Sequence, residues 1–345
     1  MADPKRGWIH SRALDLPLFV LSPVSGLALA LFALSFPWGA YRAAAAAGFL
    51  LAIPHYLTTF TFFLGDEDRA HYKTRKAAVL GGPLVILAAV VGLRVAGLHD
   101  PVLITMFVWN LYHAALQSSG ILALYRRLNG GPEEEGRKAR LAILTVNAAM
   151  AFWFIERFPP LHGLLAALAP WLPELVRAAL VASAIWSLAA LGTAIARRPR
   201  RPSGAEISFL TTSLLLFHPY LWVRDYELAT LAALSGHFIQ YLALVWLLHR
   251  RRYAAALGSF AQRLVGRLSS RTPLLIAAIV VAAGAFYAID KLTRPSSAHV
   301  GYVVLINFLA LTHFYLDGIL WAFKRPYVRR SLGAFLTPAS QRAIP

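Results

Sequence analysis

The sequence predicts an all-α protein: a polytopic transmembrane helical bundle of about ten spans, with the N-terminus and C-terminus cytoplasmic. Three observations predict it. Of the 345 residues, 58% are hydrophobic and only 14% charged, whereas soluble domains carry about 25% charged residues. The apolar residues gather in blocks of span length, since about 20 residues of helix cross a bilayer core. Lys and Arg fall mainly in alternate loops. Helix follows from lipid, where an unpaired backbone amide costs several kcal/mol.

The blocks run, in order, over residues 16–36, 44–64, 77–98, 102–125, 141–158, 175–196, 207–223, 228–248, 273–289 and 300–323. The first reads as a retained span rather than a cleaved signal peptide, because no small-residue cleavage motif follows it. With ten spans, 27 of the 34 Lys and Arg fall on the same side as the N-terminus, among them Lys5, Arg6, Arg126, Arg198, Arg252 and Arg342. Seven fall opposite: Arg42, Arg94, Arg157, Arg177, Arg224, Lys291 and Arg294. Basic loops stay cytoplasmic, so a bacterial cytoplasmic membrane is the expected location. The net charge of +18 is then topology and attraction to anionic lipid, and nucleic acid is not an expected partner.

One integral domain, residues 1–345, is expected. Residues 253–268 mix Leu, Val and Phe with Arg at helical spacing and read as an interfacial cytoplasmic helix. Residues 161–172 are apolar and Pro-flanked, suited to the outer surface. Glu133, Glu134 and Glu135 follow Gly130-Gly131-Pro132 and read as a solvated turn. The absence of cysteine excludes disulfides, thiolate ligands and thiol catalysis, and three methionines are too few for a soft copper site.

The chemistry is expected at four histidines. His55, His113, His237 and His313 lie near the middle of the second, fourth, eighth and tenth blocks. Those spans run in the same direction, so at 1.5 Å per residue the four imidazoles share a depth within about 6 Å. Ionisable groups at mid-membrane are costly and commonly functional. Each has a polar neighbour at i+4, one turn on: Thr59, Gln117, Tyr241 and Asp317, with Asn110 and Gln240 nearby.

A metal-bound histidine needs a partner for its second ring nitrogen. Asp317 and Gln117 are therefore expected to orient the ligands, and Tyr241 to donate a hydrogen bond to oxygen. An all-imidazole set suits iron, zinc or copper rather than magnesium or calcium. Non-haem iron fits best, and lipid burial points to a lipophilic substrate: an acyl chain, isoprenoid, carotenoid, sterol or quinone. The expected activity is an oxygenase- or desaturase-type oxidoreductase, with an electron-donor protein as its partner.

Other histidines read more plainly. His218, in Phe217-His218-Pro219-Tyr220, reads as an interfacial residue beside Trp222 and Arg224, with a ligand role as the alternative. His10, His71, His99, His162, His249 and His299 lie in loops or at span ends and read as solvated. Trp109 and Tyr112 are candidates to line a cavity beside His113, with span packing as the commoner cause.

The segments Pro54-His55-Tyr56, Trp109 with Tyr112-His113 and Gln117, His237 with Gln240-Tyr241, and His313 through Gly318 resemble uncharacterised bacterial multi-span proteins with intramembrane histidines. In general plan they are similar to the Brp/Blh-type membrane carotenoid dioxygenases. The resemblance covers four short segments and implies a histidine-ligated metal. The chain departs from membrane fatty-acid desaturases, which carry HxxxH and HxxHH boxes that are absent here. Two alternatives stand beside this reading. One is a haem-binding electron-transfer protein. The other is a proton-coupled transporter or non-catalytic membrane subunit, in which Asp317 and the histidines relay protons.

Overall fold

The computed structural model describes residues 7–36, 39–254 and 257–336, and every regular element among them is helical. Met1 to Arg6, with Lys5 and Arg6, lie outside the described residues, as does Arg342. Six helices are long and apolar enough to cross a membrane: Arg42–Leu64, Ala77–Val95, Leu172–Ala196, Tyr226–Arg252, Thr272–Thr293 and Ala298–Leu320. A bent pair, Arg12–Val20 with Ser22–Ser35, makes a seventh if counted as one span. Only 6% of the apolar windows in Ala77–Val95 and Thr272–Thr293 is buried, against 78% in Tyr226–Arg252. Leu84, Val85, Ile276 and Val281 stay exposed. Surfaces this apolar and this open suit lipid rather than water, so the protein is an integral membrane protein.

Three expected blocks take another form. Asp100–Leu128 is a continuous helix of 29 residues, but Asn110, His113, Gln117, Ser118 and Ser119 dilute its apolar character. Glu133–Phe152 stops six residues short of the expected end. Gly204–Leu214 ends early, and a short 3₁₀ turn, His218–Leu221, follows. Pro219 cannot donate to the Leu215 carbonyl, and the Asn147 side chain braces the break. It accepts from the Phe217 amide at 2.9 Å and donates to the Ser213 carbonyl at 2.8 Å.

The chain divides into two compact units, Met1–Ala47 with Phe107–Gln240, and Gly48–Met106 with Tyr241–Pro345. In the first, the bend of 47° has a local cause. Pro23 has no N–H for the Phe19 carbonyl, and the Gln240 amide donates to that carbonyl at 2.9 Å. The Thr212 hydroxyl serves the Val20 carbonyl at 2.8 Å. Close approach needs glycine here: a Cβ on Gly26 would sit 2.0 Å from the Ala232 carbonyl oxygen, and one on Gly236 2.8 Å from the Pro23 nitrogen. Small residues let membrane helices approach this closely.

The first unit also buries a charge cluster. Arg198 meets Glu206 at 2.6 Å and Glu135 at 3.4 Å, and Arg126 meets Glu135 at 3.3 Å and Glu206 at 3.7 Å. Arg126 and Arg198 also donate to the carbonyls of Pro132 and Asn129. Glu135 therefore leaves the solvated turn expected of it. Helix starts at Glu133, and its first turn points Glu135 inward at two guanidinium groups.

In the second unit, Ala298–Leu320 packs on Gly82–Val95 and on Ile53–Phe60. Ile53–Phe60 follows a π-helical turn, Ala47–Ala52, an irregularity that accommodates Pro54. Outside the spans, Asp68 accepts from Arg252 and from the Tyr327 hydroxyl at 2.6 Å. Burial and the neighbouring Asp68 charge push the Tyr72 phenol up to about 12. The segment after Arg252 forms the helix Phe260–Ser270, capped by the Ser259 hydroxyl on the Gln262 amide. It starts later than the expected residue 253, and residues 255–256 lie outside the described set.

Candidate metal centre

The four central histidines form two pairs, one in each unit. In the first unit, the His113 and His237 rings lie 5.0 Å apart, edge to face. Both are buried, His237 completely. The Gln117 amide, expected to orient the His113 ring, donates instead to the His237 main-chain carbonyl at 3.4 Å. Gln240 serves Phe19. Pro23, which has no N–H for the Phe19 carbonyl, accounts for the Gln240 contact. Tyr112 is 45% exposed, so it does not line a buried cavity.

In the second unit, His55 and His313 are both completely buried. Their ring centroids are 4.3 Å apart, and each offers a ring nitrogen within 4.8 Å of the other's. A polar network surrounds them. The Thr59 hydroxyl lies 2.5 Å from His313 Nδ1, 2.7 Å from the Tyr241 hydroxyl and 3.1 Å from Asp317 Oδ1. Tyr241 donates to Asp317 at 2.8 Å, and the Trp321 indole reaches Tyr241 at 3.5 Å.

Asp317 was expected to hold His313 directly. Its carboxylate stays 3.8 Å from Nδ1, and Thr59 stands between. Thr59 has one proton, and it donates that proton to the carboxylate. With Nδ1 of His313 as the donor to Thr59, the Nε2 lone pair is left for a ligand bond. Thr59 sits at i+4 from His55, yet its hydroxyl serves the histidine of another helix.

These residues fit a metal. The pair offers two neutral nitrogen donors, buried from water, one of them with its second nitrogen held by a hydroxyl–carboxylate chain. Buried His55 and His313 can each give a ring nitrogen to an ion, a donor type that suits iron, zinc or copper and not calcium.

Two further histidines differ in their surroundings. His249 was expected to be solvated; it is 3% exposed. Its Nε2 lies 2.8 Å from the Thr61 hydroxyl, and its ring stacks on Tyr253. Its position at the end of Tyr226–Arg252 hid this, since Thr61, Phe62 and Tyr253 close around it. His218 bonds through Nδ1 to the Leu215 carbonyl at 2.8 Å and lies beside Trp222.

Comparison with protein-family models, curated proteins and solved structures finds no match. The functional reading stands on the histidines.

Proposed function

We propose that this protein is a membrane-embedded, histidine-ligated iron protein that acts as a non-haem oxygenase- or desaturase-type oxidoreductase on a lipophilic substrate. Its ligands are His55, His113, His237 and His313. The observation that carries the reading is the His55–His313 pair, with its ring nitrogens within 4.8 Å and the Thr59–Asp317 chain behind one of them. A buried polar network of this kind has little reason to exist in lipid unless it orients something.

Iron held there supplies one-electron and oxygen chemistry. The chain's own residues do the rest. Thr59 holds His313 in one tautomer. Asp317 takes or gives a proton through Thr59 and Tyr241. Burial keeps water out and admits an apolar substrate. Ten spans with both ends in the cytoplasm of a bacterial cell complete the proposal, with an electron-donor protein on that side. Likeness to the Brp/Blh-type dioxygenases supports the histidine-ligated metal.

A second reading has its own support. The chain His313–Thr59–Asp317–Tyr241 is also a proton path, which suits a proton-coupled transporter. Elemental analysis with an optical spectrum on detergent-purified protein separates these readings. Non-haem iron predicts about one iron per chain without a Soret band, lost in His313→Ala. A strong Soret band moves the assignment to haem. Zinc or copper in place of iron keeps the site and changes its chemistry. Neither metal nor haem after iron-replete growth favours transport.

A further inference from the structure

The second unit contains a groove of about 370 Å³, at the small end of the range for small-molecule sites. Phe60, Phe63, Phe308 and Leu316 give it apolar walls, and Arg69, Lys73 and Lys76 give it a cationic end. Arg69 pairs with Asp66 at 2.6 Å, while Lys73 and Lys76 form no ion pair among the described residues. Thr312 also lines the groove. It is 1% exposed, and its hydroxyl has no hydrogen-bond partner among the described residues.

The groove lies beside the His55–His313 pair. On Ala298–Leu320, Phe308, Thr312 and Leu316 form one stripe at i, i+4 and i+8. His313 and Asp317 are each the next residue along, about 100° round the helix. On the other wall Phe60 follows Thr59. The two helices that carry the histidines therefore separate the groove from them by no more than their own thickness.

Each surface calls for one chemical group. Apolar walls take a hydrocarbon chain. The free ammonium groups of Lys73 and Lys76 take an anion at the membrane surface. The buried Thr312 hydroxyl takes an oxygen partway along the chain, because buried polar groups are otherwise paired. We propose that the groove binds a single-chain, long-chain carboxylic acid that carries an in-chain hydroxyl or carbonyl oxygen. This deepens the oxidoreductase reading, and rests on it, by naming a fatty acid as the substrate class.

The test is binding of radiolabelled 12-hydroxystearate to the full-length protein in nanodiscs. Stearate and methyl 12-hydroxystearate serve as competitors. The expected result is saturable binding that the methyl ester does not compete away. Stearate should bind about threefold to tenfold more weakly, the worth of one hydrogen bond. Lys73→Glu with Lys76→Glu, both at the surface, should weaken binding at least about tenfold through reversed charge. Thr312→Val should remove the preference over stearate and leave stearate binding intact. No saturable binding, equal competition by the ester, equal binding of stearate, or indifference to the lysine reversal would each overturn the proposal. Iron content measured on the same samples keeps the two readings apart: binding without iron removes only the metal reading, and iron without binding removes only the groove.

Discussion

The two units bury polar groups in different ways. The first concentrates them in a cluster of full charges, Arg126, Arg198, Glu135 and Glu206, and sets the His113 and His237 rings 5.0 Å apart, edge to face. The second places hydroxyls, an indole and a single carboxylate around its histidines: Thr59, Tyr241, Trp321 and Asp317. Charges that satisfy one another fix a fold. A hydroxyl–carboxylate chain ending on an imidazole nitrogen orients the ring. The charge cluster braces the first unit, and the hydroxyl–carboxylate network holds one histidine ring of the second.

The sharpest break in that comparison is Arg198→Ala. It leaves Glu135 and Glu206 buried with one guanidinium between them, and it should destabilise the protein by about 3–5 kcal/mol, read as thermal unfolding in detergent. Iron bound per folded chain should be unchanged if this cluster is purely structural. Next comes Asp317→Asn, which should weaken metal affinity about 10–100-fold, as loss of an outer hydrogen-bond partner does. Unfolding should change far less than in Arg198→Ala. A variant with wild-type affinity would show that the Thr59–Asp317 chain has no bearing on a metal.

Gln117→Ala is the matched change in the first unit. It removes one bond to a main-chain carbonyl, so about 0.5–1.5 kcal/mol of stability should go and metal affinity should hold. A fall in affinity as large as that of Asp317→Asn would erase the difference between the pairs.

The smallest effect lies outside the spans. The Ser259 hydroxyl and amide, with Arg69 alongside, hold the Asp66 carboxyl below its ordinary value of 3.8. A depressed carboxylate stabilises the fold above that ordinary value and loses its contribution as pH falls through the lower, folded value. Asp66→Asn should therefore unfold slightly earlier than wild type at pH 7, and the gap should close as pH drops below 3.8. A gap that persists in acid would mean that the Ser259 contact does not depend on the charge.

Helical membrane character was legible in the sequence because block length and loop charge are one-dimensional signals. The four histidines were legible for the same reason, as polar residues in the middle of apolar runs. Their pairing was not. Thr59 stands at i+4 from His55 but serves His313, since helix rotation decides which faces meet and sequence spacing does not. Asp317 was found by its spacing and misjudged in its contact, because Thr59 comes between. Glu135 was hidden by its acidic neighbours, and His249 by its place at a span end. Gln240 looked like company for His237. Its partner is set by Pro23, which strips the Phe19 carbonyl of its donor more than two hundred residues away in the chain.

The most direct test of the account is iron stoichiometry in two paired variants, His55→Ala with His313→Ala, and His113→Ala with His237→Ala. The account predicts about one iron in the wild-type chain and essentially none in either double variant, with both still folded. Full iron retained after removal of either pair would contradict a four-histidine site, and iron absent from the wild type would contradict a metal centre altogether.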